Sequence, residues 1–281
     1  MGRWQRYLLG ELSWGRLLRS AILIYGMVAA YVYLRADAMI FHPPPATYEL
    51  SPQMRLIPMA GGDRLALLYL PNPEASFTLL YSHGNAEDLG VIQPLLSQYR
   101  DWGFAVLAYD YRGYGLSTGT PSEANAYEDA RAAYEYLTQT LQVPPAQIIL
   151  YGRSLGGGVA TELATQVPVA GLILESTFTS AFRVVVPFPL FPFDKFTNQA
   201  KLSQVAVPVL ILHGKADDVV PFHHGQALFA TAADPKFSLW VAEAGHNNFS
   251  AAAGDRHRHA LQAFAQFLKN MAAAPRDLFS A

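Results

Sequence analysis

A serine in a glycine-rich turn is the residue of this sequence best placed to act as a nucleophile. Residues 152–156 read Gly-Arg-Ser-Leu-Gly, between an apolar, strand-like run at 148–151 and a helix-like stretch at 155–166. This G-x-S-x-G pattern is typical of a strained strand-to-helix turn that lifts a serine hydroxyl off a sheet. Alone it is weak, because a chain of this length contains one by chance roughly one time in ten. Ser154 therefore needs a base, an acid and oxyanion donors elsewhere in the chain.

His246 is the candidate base. It follows the last predicted strand, 238–241, and precedes the C-terminal helical stretch 256–271. Loops at the carboxyl ends of strands carry the functional groups of α/β sheets. Five other histidines are predicted to lie in a linker, at a helix start or on a helix surface: His42, His223, His224, His257 and His259. His83 precedes the serine, and we expect it to hold its own loop by hydrogen bonding.

Asp217 is the candidate acid. The strand-like run 209–212 is followed by a loop that contains Asp217 and Asp218. Asp217 holds the acid position of the pattern G-x-x-D-x-x-V-P, which runs from Gly214 to Pro221, and a carboxylate there can orient an imidazole. We expect Asp218 to cap the following helix or to face water. The alternative is that both are ordinary loop aspartates.

Two backbone N–H groups are candidate oxyanion donors. The apolar strand 77–82 is followed by His-Gly-Asn-Ala, and a glycine lets the backbone approach a ligand closely. We expect one donor to be the N–H of Asn85, with that of Ala86 as the alternative. The other is the N–H of Leu155, directly after the nucleophile.

Short apolar runs alternate with amphipathic stretches, which is typical of an α/β fold. The predicted strands are 54–59, 65–70, 77–82, 104–109, 148–151, 172–175, 209–212 and 238–241. The first two form a hairpin, and several others are apolar throughout, as expected in a sheet that is covered on both faces. The predicted helices are 88–101, 122–141, 155–166, 222–231 and 256–271. The fold class is therefore a mostly parallel sheet of about eight strands with helices on both faces.

Two polar segments near these strands are given structural roles. The segment 110–117 follows a strand, and we expect Asp110 and Arg112 to order it through an ion pair. Glu87 and Asp88 are expected at the start of the next helix, where carboxylates favour the helix dipole.

Composition excludes several classes of function. The chain has 281 residues, 51% of them hydrophobic and 15% charged, which suits one large domain with an appendage. The net charge of −2 offers no basic field for nucleic acid. There are no cysteines, so thiol chemistry, disulfides and thiolate metal sites are absent. The scattered histidines form no metal-binding spacing, and we predict neither a metal nor a cofactor.

Residues 20–34 are an uncharged, mostly apolar run. As a helix it would extend about 22 Å, short of the roughly 30 Å hydrocarbon core of a bilayer. Extended to 17–41, with Arg19 and Arg35 reaching the two interfaces, it is long enough for a tilted span. An uncleaved membrane anchor is the preferred interpretation. The alternatives are a signal peptide cleaved at the A-x-A sequence 36–38 and a helix packed on the domain.

The arginines around this run predict its orientation. Arg3, Arg6, Arg16 and Arg19 precede it, whereas only Arg35 closely follows it. The positive-inside rule therefore places the N-terminus in the cytoplasm and the catalytic domain on the outer, periplasmic or extracytoplasmic side. Signal cleavage would instead give a secreted protein. The predicted divisions are an anchor at 1–41, a proline-rich linker at 42–49, a catalytic domain at 50–271 and a tail at 272–281.

With these motifs in place, the chain resembles a serine hydrolase of the α/β-hydrolase fold. The segments 83–88, 110–115, 152–156, 175–176 and 245–247 together are similar to a membrane-associated subgroup that includes the protein depalmitoylases and their bacterial relatives. The resemblance implies a triad in the order serine, acid, histidine. It is less specific for substrate, because this fold hosts esterases, thioesterases, lipases and peptidases. Eukaryotic depalmitoylases use an N-terminal cysteine cluster, and this chain has an apolar helix there instead.

The insertion at 176–206 is where such folds place a cap, and we use that name for it below. It is rich in aromatic residues and proline and has few charges, so it favours an apolar acyl group over Ser154. The candidate substrate-binding residues are Phe178, Phe182, Phe188 and Phe191. The alternative is that they only pack a short lid onto the domain.

These residues predict a membrane-anchored hydrolase of carboxylic esters or thioesters, with a small-molecule or lipid-like acyl substrate. A serine peptidase or aminopeptidase on the same fold is one alternative, although the insertion has no obvious acidic pair to hold a peptide terminus. A non-hydrolytic anchored chaperone or binding module is another. The sequence leaves the oligomeric state open.

Overall fold

The computed structural model describes residues 14–273. Within them, eight runs rich in aliphatic and aromatic residues form one sheet, as predicted. The strands are β1 (Met54–Pro58), β2 (Arg64–Leu70), β3 (Thr78–Ser82), β4 (Ala105–Tyr109), β5 (Ile148–Arg153), β6 (Gly171–Glu175), β7 (Val209–Gly214) and β8 (Lys236–Val241). The strand order is β1-β2-β4-β3-β5-β6-β7-β8.

The sheet is mostly parallel, which confirms the predicted class. β1 and β2 pair as the expected antiparallel hairpin, and β2 is also antiparallel to β4. All pairings from β4 through β3 to β8 are parallel. The carboxyl ends of these strands therefore meet at one edge, where the loops after β3, β5, β7 and β8 carry the candidate site residues.

Helices cover both faces of the sheet. They are α1 (Trp14–Ile40), α2 (Leu89–Asp101), α3 (Glu123–Glu135), α4 (Leu155–Ala164), α5 (Asn198–Leu202), α6 (His223–Thr231), α7 (Phe249–Ala253) and α8 (Asp255–Ala273). Alternate residues along β2 enter two separate cores, because strand side chains point to opposite faces. Leu67 packs in the core that includes α3 and α4, and Leu68 in the core that includes α2 and α8. The short helices α5 and α7 were not predicted.

The N-terminal helix α1 is long and apolar enough to cross a membrane. It has 27 residues, a mean hydropathy of 1.7 in its apolar window, and no buried residue in that window. Its last turn contacts the domain, where Ala36 is buried and the Asp37 carboxylate lies 3.0 Å from the Lys195 ammonium. Arg3 and Arg6, which contribute to the predicted orientation, lie outside the described residues.

The linker that follows α1 also contacts the domain. The backbone N–H and the hydroxyl of Thr47 donate to the Asp88 carboxylate at 2.7 and 2.6 Å. The Tyr48 hydroxyl donates to Asp110. The path from α1 to β1 is therefore held against the loops that follow β3 and β4.

Candidate active site

Ser154 lies on a sharp turn between β5 and α4. Its backbone has φ 51° and ψ −116°, a left-handed conformation that is strained for a residue with a side chain. The flanking glycines permit this turn. A Cβ on Gly152 would lie 2.3 Å from the carbonyl oxygen of Gly156, and a Cβ on Gly156 would lie 2.0 Å from that of Ser82. The G-x-S-x-G pattern is thus explained by close backbone approach, and it leaves the serine side chain partly exposed.

The structure brings Ser154, His246 and Asp217 together from three separate loops. His246 Nε2 lies 3.0 Å from Ser154 Oγ, and His246 Nδ1 lies 2.9 Å from Asp217 Oδ2. The other carboxylate oxygen, Oδ1, accepts hydrogen bonds from the N–H groups of Val219 and Val220 at 3.0 and 2.8 Å. These contacts hold Asp217 in one orientation toward the imidazole, which is the arrangement that nucleophilic catalysis by serine requires.

The surroundings keep the Asp217 carboxyl ionised. Burial alone raises its pKa, but the hydrogen bond and charge interaction with His246 and the Val220 N–H outweigh burial and hold the pKa below its ordinary value. Burial lowers the pKa of the neighbouring His213, whose Nε2 lies 2.8 Å from the Val220 carbonyl. Asp218, the competing candidate, is exposed to solvent.

The two candidate oxyanion donors lie at the ends of β3 and β5. Leu155 is the first residue of α4, where N–H groups have no intrahelical acceptor. Within residues 14–273 the Asn85 N–H donates to no protein acceptor. The Asn85 side chain is fixed: its Oδ1 accepts from the Tyr114 hydroxyl at 2.6 Å and from the His42 N–H at 3.0 Å. Its Nδ2 donates to the Ile40 carbonyl at the end of α1.

Arg153 links the loops around the site, and sequence reasoning missed it. Arg153 is 8% exposed, and its guanidinium pairs with Glu87 and lies 3.5 Å from Glu175. One nitrogen, Nη2, donates to the His246 carbonyl and to Asn247 Oδ1, both at 3.0 Å. The available signal was its place beside Ser154, because a charged residue between a buried strand and a buried helix needs partners.

His83 holds its loop, as expected, but the predicted ion pair between Asp110 and Arg112 is wrong. His83 Nδ1 lies 2.7 Å from the Gly84 carbonyl, and its Nε2 lies 3.4 Å from Asp110. Arg112 points the other way, and its Nε donates to Asp129 at 2.7 Å. The pair fails because residues two apart in this turn face different elements.

His257 is buried, so its predicted place on a helix surface is wrong. Its ring packs edge-on against Tyr99 and Trp102, with centroids 5.7 and 5.3 Å apart. Its Nε2 lies 3.1 Å from the Tyr151 hydroxyl, which in turn donates to Glu175. The start of α8 is polar, and the residues that bury His257 come from other elements, so its burial could not be predicted from the local sequence.

The four candidate phenylalanines lie in different surroundings. Phe182 and Phe191 line an apolar cavity between the cap and α1. Phe178 is buried in the core near Phe196, with ring centroids 6.5 Å apart, and Phe188 is 58% exposed. Within residues 14–273, no group of three or more acidic or histidine side chains is placed to hold a metal ion.

Comparisons with known proteins agree with this architecture. The family described as "Serine aminopeptidase, S33" matches residues 73–191, which include Ser154 and Asn85. The human alpha/beta hydrolase domain-containing protein 17B is 41% identical over 194 residues, 66% of each chain. The Caenorhabditis elegans alpha/beta hydrolase domain-containing protein aho-3 is 39% identical over 203 residues, 70% of this chain and 60% of that protein. An esterase structure from Pyrococcus furiosus superposes with a TM-score of 0.70 at 17% identity, covering 82% of this chain and 98% of the esterase.

The chain therefore belongs to the α/β-hydrolase family. Within that family it is related to the depalmitoylase-type subgroup that its motifs resemble. It spans just under two thirds of the length of the human relative.

Proposed function

We propose that this protein is a membrane-anchored serine hydrolase that cleaves carboxylic esters or thioesters with an apolar acyl group. The observation that carries the proposal is the continuous hydrogen-bonded path from Ser154 Oγ through His246 to Asp217, with distances of 3.0 and 2.9 Å. A serine hydroxyl is a weak nucleophile until a base takes its proton. The path supplies that base and orients it.

The reaction follows from the roles of these groups. Ser154 Oγ attacks the acyl carbon while its proton passes to His246 Nε2, and Asp217 stabilises the imidazolium that forms. The N–H groups of Asn85 and Leu155 donate to the tetrahedral oxyanion. The bond to the leaving oxygen or sulfur then breaks, and His246 returns the proton to that group. Water, deprotonated by His246, attacks the acyl-enzyme and releases the carboxylic acid and free Ser154.

We also infer that α1 is an uncleaved anchor, with its N-terminus in the cytoplasm and the catalytic domain outside. Cleavage at 36–38 would remove a segment whose Asp37 accepts from the Glu123 N–H at 3.2 Å and whose Ala36 is buried. These contacts support a helix that remains with the domain. Protease treatment of intact cells checks the orientation: a domain degraded only after the inner membrane is breached would refute it.

Covalent labelling tests the nucleophile. The purified full-length chain is expected to react with a fluorophosphonate probe, and Ser154→Ala is expected to abolish the label. Ser250→Ala removes another serine from the carboxyl edge of the sheet, outside the triad, and is expected to leave labelling unchanged. Labelling that persists in Ser154→Ala would refute the assignment. Absence of labelling in the unmodified protein would favour a non-hydrolytic module.

An aminopeptidase is the second candidate, favoured by the description of the matching family. Such an enzyme needs a carboxylate to hold the substrate ammonium. Two carboxylates beside the triad, Glu87 and Glu175, both lie against the Arg153 guanidinium, which competes with a substrate ammonium for them. We therefore expect amino-acid p-nitroanilides to be cleaved far more slowly than p-nitrophenyl esters, and the reverse ratio would support the aminopeptidase.

A further inference from the structure

The N-terminal helix α1 packs one face against the cap. The Tyr25 hydroxyl donates to the Leu190 carbonyl at 2.9 Å, and the Tyr25 ring stacks on Phe191. Further along the helix, Tyr33 meets Phe193 edge to face, with centroids 5.2 Å apart. A helix that served only as a tether would not need these directed contacts, so α1 is a structural neighbour of the cap.

An apolar cavity of about 220 Å³ lies between the two elements, and we call it the helix–cap cavity. Its walls include Val32, Ala36 and Ile40 from α1, and Phe182, Val186 and Phe191 from the cap. The three helix residues are spaced by four, so they lie along one face. This volume is smaller than the roughly 300–1,000 Å³ typical of sites for drug-sized ligands, and it suits a narrow, unbranched chain.

The cavity offers little to a polar occupant. Arg183 also lines it, but its guanidinium donates to the carbonyls of Val186 and Phe188 and lies 3.7 Å from Asp194. The remaining lining side chains are hydrophobic. A peptide segment would leave its backbone groups unpaired there, whereas a hydrocarbon chain has none to satisfy.

Hydrogen bonds connect the segments that form both walls of the cavity to Asn85 and Ser154. Ile40, at the end of the helix wall, accepts a hydrogen bond from the Asn85 side chain through its carbonyl at 2.5 Å. The cap wall continues from Thr177, whose hydroxyl donates to the Ser154 carbonyl at 2.7 Å. An acyl chain in the cavity would thus extend from the side of the oxyanion donors.

The outer surface of the same region is apolar. Val185 and Phe188 of the cap are 82% and 58% exposed, and Leu34 of α1 is 77% exposed. Large apolar side chains that are exposed beside a helix long enough to cross a bilayer mark a membrane-contacting surface. Val185 also lines the helix–cap cavity, so the cavity adjoins the surface that we expect to meet lipid.

We propose that the helix–cap cavity binds the acyl chain of the substrate, that α1 forms one wall of this site, and that the chain enters it from the bilayer. This rests on the proposed hydrolysis at Ser154. The substrate class is an ester or thioester whose fatty acyl chain resides in the membrane before it is cleaved. The anchor is then part of the binding site as well as the attachment to lipid.

The test compares two tryptophan variants of the full chain in phosphatidylcholine nanodiscs. Val32→Trp fills the cavity, and Leu34→Trp adds the same side chain on the exposed face of the same helix. With p-nitrophenyl esters from acetate to dodecanoate, Val32→Trp is expected to lose at least tenfold in kcat/KM on dodecanoate and less than twofold on acetate. Leu34→Trp is expected to match the unmodified protein on both esters.

The proposal is overturned if Val32→Trp lowers kcat/KM by the same factor for both esters, or if it lowers kcat/KM for neither. A failure of the proposed function is distinct, because the unmodified protein would then hydrolyse no ester and take no fluorophosphonate label.

A second measurement needs no variant and covers the case in which Val32→Trp does not fold. An alkyl fluorophosphonate with a diazirine near the end of its chain labels Ser154 and is then photolysed. Cross-links within 32–40 and 181–193, mapped by mass spectrometry, are expected. Cross-links confined to other segments would overturn the assignment of the cavity.

Discussion

Replacing Arg153 by lysine is expected to slow catalysis without preventing folding. The guanidinium pairs with Glu87, lies 3.5 Å from Glu175, and donates to the His246 carbonyl and to Asn247. Lysine keeps the positive charge, but it is a single compact donor and cannot reproduce the planar fork. The loop that carries His246, the candidate base, therefore loses two of its supports, while the two carboxylates stay close to a cation.

The magnitude follows from the bonds that are lost. A hydrogen bond that involves a charged group contributes about 1.5–3 kcal/mol, so two of them set an upper limit of about 3–6 kcal/mol on the anchoring of the loop. The loop keeps other supports, among them the hydrogen bond from the Gly245 N–H to Asn248 at 2.7 Å. We therefore expect the activation free energy to rise by about 1.4–2.8 kcal/mol, which corresponds to a 10- to 100-fold loss of kcat. KM should change little, because Arg153 does not line the helix–cap cavity.

Steady-state kinetics with p-nitrophenyl esters, together with urea denaturation, separates positioning from stability. Arg112→Lys is the matched control, since Arg112 is also buried and paired, with Asp129 and Glu128, but has no contact with the triad. It should lose stability while keeping kcat. A kcat for Arg153→Lys within about twofold of the unmodified enzyme, or an equal loss in the control, would refute the positioning role.

Two further variants test the acid and the pH dependence. Asp217→Asn should lower kcat by about three to four orders of magnitude and Asp218→Asn by less than twofold, because only the former holds the imidazole tautomer; equal small effects would mean another acid. Burial and the neighbouring histidine lower the pKa of His224 to about 4 in the folded chain. As the pH drops from about 6.5, this histidine therefore binds a proton in the unfolded chain before it does so in the folded chain, and stability falls. His224→Asn keeps an acceptor for Thr179 and should reduce that fall in urea midpoints between pH 7 and 4.5, whereas exposed His259→Asn should not; identical slopes for the two variants would contradict the explanation.

The sheet and the three loops that meet at its edge could be predicted from local sequence. Buried strands such as β5 and β7 are mostly apolar, so their positions could be predicted without knowing which strands pair with them. Parallel pairing then brings their carboxyl ends to one edge, and candidates as distant as Ser154 and His246 are expected to lie close together. The 3.0 Å separation between their Oγ and Nε2 atoms agrees with that expectation.

Contacts that depend on tertiary placement could not be predicted in the same way. Arg153 is separated from Glu87 by 66 residues and from Asn247 by 94, and nothing in the local pattern of either partner points to a guanidinium. Periodicity also cannot distinguish an apolar helix face that meets lipid from one that meets protein. The contact between α1 and the cap therefore could not be predicted from the run 20–34, because its composition suits a helix in lipid and a helix packed on protein equally well.

The position of Asn85 joins these parts of the molecule. Its backbone N–H is a candidate oxyanion donor, and its side chain donates to the carbonyl of Ile40 in the last turn of α1. Tyr114 and His42 donate to the other end of the same amide, so its orientation depends on the linker as well as on the loop after β4. The helix that lines the helix–cap cavity thus also supports the loop that would stabilise the oxyanion. Attachment to the membrane, acyl binding and transition-state stabilisation would then rely on one continuous set of contacts, which gives a physical reason for the helix to remain with the domain.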